Sequence, residues 1–67
     1  MDKNESGIII EALPSLRFRT QLSDGRIIIA YLSGKMHKNF IRVIIGDKVE
    51  VTIPSTGNIG RIIRRNG

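Results

Sequence analysis

The chain has no cysteine, no tryptophan and a single histidine, His37. Without cysteine there is no disulfide and no thiolate metal site. This fits a reducing compartment. Aromatic residues are limited to Phe18, Tyr31 and Phe40. A protein that grips single strands without sequence preference usually offers several stacking platforms, so the scarcity argues against that class. It favours recognition of a folded RNA through shape, phosphates and 2′-hydroxyls. Long apolar runs are also missing. The longest, Ile27 to Leu32, is far below the roughly 18 residues of a membrane span. The start, Met1 to Ser6, is polar and lacks the apolar stretch of a secretory signal. No partner membrane is expected.

Acidic residues are few as well. Eleven Lys and Arg face six Asp and Glu, giving a net charge of +5. Seven of the eleven cations are arginine, whose planar fork suits phosphates and base edges. A small domain this basic points to a polyanion, nucleic acid first. The 67 residues make one small domain. At that size only about 60% of the unfolded chain's surface is buried, so a deep catalytic cleft is hard to build. We expect a polar tail over residues 1–6 and one domain over residues 7–65.

Five segments read as strands. Gly7 to Leu13 is rich in β-branched residues and stops at Pro14. Pro14-Ser15 predicts a turn. Arg17 to Leu22 alternates, with Phe18, Thr20 and Leu22 on one side and Arg17, Arg19 and Gln21 on the other. Asp24-Gly25 is a hairpin signal. Arg26 to Leu32 is continuously apolar after its first residue, which predicts burial on both faces or a bend at a barrel corner. Ser33 then predicts a cap for a short helix over Lys35 to Phe40. Met36 and Phe40 would face inward from it. Gly46-Asp47 predicts a turn. Lys48 to Ile53 alternates, with Val49, Val51 and Ile53 inward. Pro54 to Asn58 is a loop by composition, and Gly60 to Arg65 is a short basic strand. Five strands with a helix between the third and fourth predict an all-β, five-stranded oligonucleotide/oligosaccharide-binding (OB-fold) barrel, closed so that no sheet edge is exposed. A six-strand SH3-like barrel is the alternative, and the helix placement counts against it.

The candidate chemistry is binding. His37 stands among cations with no cysteine or acid beside it, and no pair of the scattered acids is spaced for general acid–base work. No P-loop is present. No cofactor, metal site or catalytic residue is expected. Basic clusters remain: Lys35, Lys38 and Arg42 in and after the helix, Arg61, Arg64 and Arg65 near the end, and Arg17 and Arg19 outward on the second strand. Each alone is compatible with a solvated face. Tyr31 is the candidate stacking residue.

These residues resemble the bacterial and organellar translation initiation factor one family. The resemblance rests on Glu11, Leu13-Pro14, Phe18-Arg19, Leu22, Gly25, Ala30, Ser33-Gly34-Lys35-Met36, Lys38-Asn39, Ile41-Arg42, Gly46-Asp47, Val49 and Gly60-Arg61-Ile62. The segment Ser33 to Asp47 is its most specific part. It implies an OB barrel without enzymatic activity that docks as a monomer at the decoding (A) site of the small ribosomal subunit. The implied partners are ribosomal RNA, a neighbouring ribosomal protein and the other initiation factors. The implied location is the bacterial cytoplasm or the plastid stroma. By position, Lys35, Lys38, Asn39 and Arg42 match the family's RNA-contacting segment and Arg61 its C-terminal basic strand; His37, Arg64 and Arg65 beside them are candidate ribosomal-RNA contacts by charge. Arg17, Arg19 and Tyr31 are further candidate contacts. The chain departs from the family at His37, where arginine is frequent, and at Arg64, where an aromatic is common. Its Pro54 to Ile59 loop is one residue short and lacks the customary tyrosine–aspartate pair. Two other functions fit the residues: a general RNA chaperone with no fixed ribosomal site, and a small structural subunit that binds an acidic protein.

Overall fold

Strand β1 (Lys3–Leu13) is the longest element and carries two partners. Its first half, Lys3 to Ile8, pairs antiparallel with β4 (Lys48–Ile53). Its second half, Gly7 to Leu13, pairs antiparallel with β2 (Arg17–Leu22). One curved strand thus serves two sides of a barrel. A bulge between Ile9 and Glu11 lets it bend. The remaining strands are β3 (Ile27–Leu32) and β5 (Ile59–Arg65), with a helix, α1 (Gly34–Lys38), between β3 and β4. The computed structural model describes residues 3–38, 42–55 and 59–66.

The sheet closes in the order β1-β2-β3-β5-β4. Every pair is antiparallel except β3 with β5. The all-β OB barrel, with one short helix among the described residues, is therefore the observed architecture, and the six-strand alternative falls away.

Alternation decides the core. Phe18, Leu22, Val49 and Val51 are buried together with Ile9, Ala30, Met36, Val43 and Ile62, and Thr20 is fully buried among them. Burying each large aliphatic side chain is worth about 1.5–3 kcal/mol, so these few residues carry most of the stability. Gly7 is where β1 meets both β2 and β4. A Cβ there would stand 2.7 Å from Thr20 Cγ2 and 3.0 Å from the Gln21 carbonyl oxygen. Only glycine lets the strands approach this closely.

Three expectations change. The strand expected to start at Gly7 starts at Lys3, so Lys3 to Ser6 belong to the barrel wall. Hydropathy misses these residues because backbone pairing and polar contacts hold them. Thr52 Oγ1 donates to Asn4 Oδ1 at 2.8 Å, and Arg26 Nη2 donates to Glu5 Oε2 at 2.8 Å. Strand β3 is not buried on both faces: Ile27 is 54% and Tyr31 42% exposed. The run is apolar outside as well as inside. The helix starts at Gly34 and runs to Lys38; Phe40 and Asn39 lie outside the described residues. Ser33 caps it as expected, its Oγ accepting from the Met36 amide at 3.2 Å.

The turns follow local chemistry. Gly25 takes a φ of 96° in a three-residue hairpin loop closed by the Leu22 amide donating to the Arg26 carbonyl at 2.7 Å. After Pro14, both Ser15 (φ 65°) and Leu16 (φ 58°) are left-handed. Leu16 would face inward if the alternation of β2 continued back from Phe18. The left-handed backbone leaves it 46% exposed instead.

Candidate nucleic-acid interface

Register builds a row on the outer wall. Arg17 of β2 pairs with Tyr31 of β3, and Tyr31 pairs with Arg61 of β5. Cross-strand partners project from the same face, and all three are exposed. The row therefore reads cation, aromatic, cation across three adjacent strands. The next row along the same strands is Arg19, Ile29 and Ile59. Ile29 is half-buried and Ile59 is 50% exposed. The wall beside Tyr31 is thus partly apolar.

The helix joins this wall through β5. The Ser33 amide donates to the Ile62 carbonyl at 3.1 Å, one residue from Arg61. Met36 is buried and anchors the helix, while Lys35 and Lys38 are exposed. The helix is expected to bring those two lysines to the same end of the barrel as Tyr31 and Arg61.

The arginines are not equivalent. Arg19 Nε donates to Glu11 Oε1 at 2.8 Å, and Arg64 Nη2 donates to Glu50 Oε1 at 3.0 Å. The Arg19–Glu11 pair is exposed, where an ion pair is worth about 0–1 kcal/mol, and Arg64 reaches from solvent to a half-buried Glu50. Each arginine can be recruited by a phosphate only by giving up its carboxylate. Arg17, Arg61, Lys35 and Lys38 have no carboxylate partner among the described residues. Arg26 is held twice, by Asp24 Oδ2 at 2.7 Å and by Glu5. The backbone amide and then the guanidinium of Arg26 hold the Asp24 carboxyl below its ordinary value, and Asp24 and Glu5 raise Arg26 in turn.

A second basic pair forms elsewhere. Arg65 Nη1 donates to the Arg42 carbonyl oxygen at 2.9 Å, and both residues are exposed. Arg65 pairs with Val49 at the opposite end of β5 from Ile59. Register thus aligns Arg17, Tyr31 and Arg61 in one row, β5 carries Arg65 onward past Arg61 to meet the Arg42 carbonyl, and Arg19 and Arg64 are tied to acids. Asn39 lies outside the described residues, as does the side chain of His37. Sequence reasoning singled out none of Ile29, Ile59 and Lys48. The alternation of Lys48 with Val49 would have marked Lys48 as outward. Ile29 was hidden by a run that looked like core, and Ile59 by the loop reading of Pro54 to Ile59.

The comparisons with known proteins agree with this architecture. The family model for translation initiation factor 1A / IF-1 matches residues 1–66. The solution structure of translation initiation factor one from the Wolbachia endosymbiont strain TRS of Brugia malayi superposes with a TM-score of 0.80 at 36% identity, over 98% of this chain and 79% of that one. The crystal structure of YjeQ from Thermotoga maritima matches 97% of this chain but only 23% of its own length, with a TM-score of 0.81 and 26% identity. A closed five-stranded barrel with one short helix, matched nearly end to end in sequence and structure, makes this chain a member of the translation initiation factor 1A / IF-1 family.

Proposed function

We propose that this initiation factor docks at the decoding site of the small ribosomal subunit through ribosomal RNA, next to a ribosomal protein and the other initiation factors, in the bacterial cytoplasm or the plastid stroma. The observation that carries the proposal is the Arg17–Tyr31–Arg61 row beside the capped helix with Lys35 and Lys38. Two arginines without a carboxylate among the described residues flank one exposed aromatic. That arrangement sets phosphates on either side of a stacked base. The role is binding rather than catalysis, by a monomer that needs no cofactor. His37, Asn39 and Arg42 extend the contact from the helix, and Arg65 and Arg64 from the end of β5. Arg19 contributes only by leaving Glu11.

Co-sedimentation with purified small subunits across a salt series, combined with chemical footprinting of the decoding-site RNA, tests this. Saturation at one copy per subunit with protection at that site supports it. Non-saturating binding without protection overturns it. That result would favour the second reading, a general RNA chaperone, for which the 42% exposure of Tyr31 is the supporting observation.

A further inference from the structure

One part of the barrel surface is not used by the Arg17–Tyr31–Arg61 row. A cavity of about 450 Å³ lies there, between the β2–β3 turn, the middle of β1, the start of β4 and the residue after β5. Its floor is Gly7, Leu22 and Val49, all core positions. A Cβ at Gly7 would meet Thr20 Cγ2 at 2.7 Å, so glycine is strongly favoured here. The floor therefore stays bare and apolar. Ile8, 44% exposed, forms part of the wall.

The rim differs from the floor. Ser6, Gln21, Ser23, Lys48 and Asn66 surround the opening. No side chain of these five has a hydrogen-bond partner among the described residues. Charge at the rim is one-sided. Glu5 and Asp24 are held by Arg26, and Glu50 is held by Arg64. Lys48 has no carboxylate among the described residues. An apolar floor, polar groups open to a partner and a lysine at the rim suit a ligand with an aliphatic body and an adjacent anion. The cavity lining holds no aromatic and a single cation, which suits a base and its phosphates poorly.

We infer that this cavity docks an acidic polypeptide segment of a protein partner, one aliphatic side chain entering it and a neighbouring carboxylate pairing with Lys48. Gln21 lies four residues from Arg17 along β2, roughly 13 Å at strand spacing. The cavity therefore stands clear of Arg17, while Asn66 on its rim directly follows Arg65 in the chain.

The test is an amide chemical-shift titration of the isotope-labelled full chain with a synthetic hexapeptide alternating glutamate and leucine. The expected shifts cluster at Gly7, Ile8, Leu22, Ser23, Val49 and Asn66. Lys48→Glu is expected to weaken binding about threefold to fivefold, the range of an exposed ion pair. A lysine–leucine peptide should then bind the variant better than the parent. No shift at millimolar peptide overturns the inference. So do shifts centred on Tyr31, or the same cavity shifts produced by an RNA oligonucleotide instead of the peptide. RNA binding through Arg17 and Arg61 is a separate measurement, so the two readings fail independently.

Discussion

Tyr31 and Arg61 stand directly opposite each other across the one parallel pairing of the barrel, between β3 and β5. Arg17 completes the row from the other side of Tyr31. Neither arginine is paired with an acid among the described residues, whereas Arg64, on the same strand as Arg61, is held by Glu50 at 3.0 Å. This difference separates charges that sequence counts as equal.

Arg17→Ala and Arg61→Ala should each weaken binding to small-subunit RNA. Each should also flatten the log–log salt dependence by roughly 0.7–0.9 per lost phosphate contact. Arg64→Ala should do less, because Glu50 already occupies its guanidinium. All three residues are exposed, so melting temperatures should barely move. A large loss of stability in Arg17→Ala or Arg61→Ala would show a structural role instead.

Tyr31 is the sole tyrosine, and there is no tryptophan, so intrinsic tyrosine fluorescence reports on this residue alone. RNA binding should quench it. Tyr31→Ala should cost about 1–3 kcal/mol of binding if a base stacks on the ring. Unchanged fluorescence at saturating RNA would remove Tyr31 from the interface.

Gly7→Ala should destabilise the fold by about 1–3 kcal/mol, the usual cost of overpacking. The new methyl would meet Thr20 Cγ2 at 2.7 Å. Adding Thr20→Ser removes that methyl and should recover part of the loss. The Gln21 carbonyl at 3.0 Å keeps the recovery partial. Denaturant titration of the single and double variants measures both. No recovery at all would place the strain on the Gln21 backbone.

Asp24 links the β2–β3 turn to pH. Its carboxyl is held below the ordinary value of 3.8, first by the Arg26 amide and then by the Arg26 guanidinium. A lowered folded value means that the contribution is complete above the unfolded value and is lost as pH falls through the folded one. Asp24→Asn should therefore be less stable than the parent at neutral pH. The gap should close in strong acid. The Asp24–Arg26 pair faces solvent, so the effect is small. Thermal melts of both proteins across acidic pH decide it; a gap that persists in acid would show that the loss is not electrostatic.

Much of the barrel is legible in the sequence because alternation is local. Arg17 to Leu22 and Lys48 to Ile53 declare their inner faces through every second residue, and Ser33 declares the helix start by its hydroxyl. Other parts are written in tertiary contacts. Lys3 to Ser6 have no apolar pattern and become strand only because β4 offers its backbone. Ile27, Ile29 and Tyr31 look like core because the run is unbroken, yet their outer side faces solvent. Leu16 keeps an inward position in the alternation and is turned out by its left-handed backbone.

Charge, the five strands, the capped helix and, through the Ser33 to Asp47 segment, the family are all properties of the chain in one dimension. Composition, period-two patterning and capping act within a few residues, so they need no fold to be read. Which cations are open to a ligand is a matter of three dimensions. Arg17 and Arg61 flank Tyr31 through cross-strand register, and Arg19 and Arg64 meet Glu11 and Glu50 through the same register. Register depends on how bulges and closure align distant strands, and no local pattern encodes it.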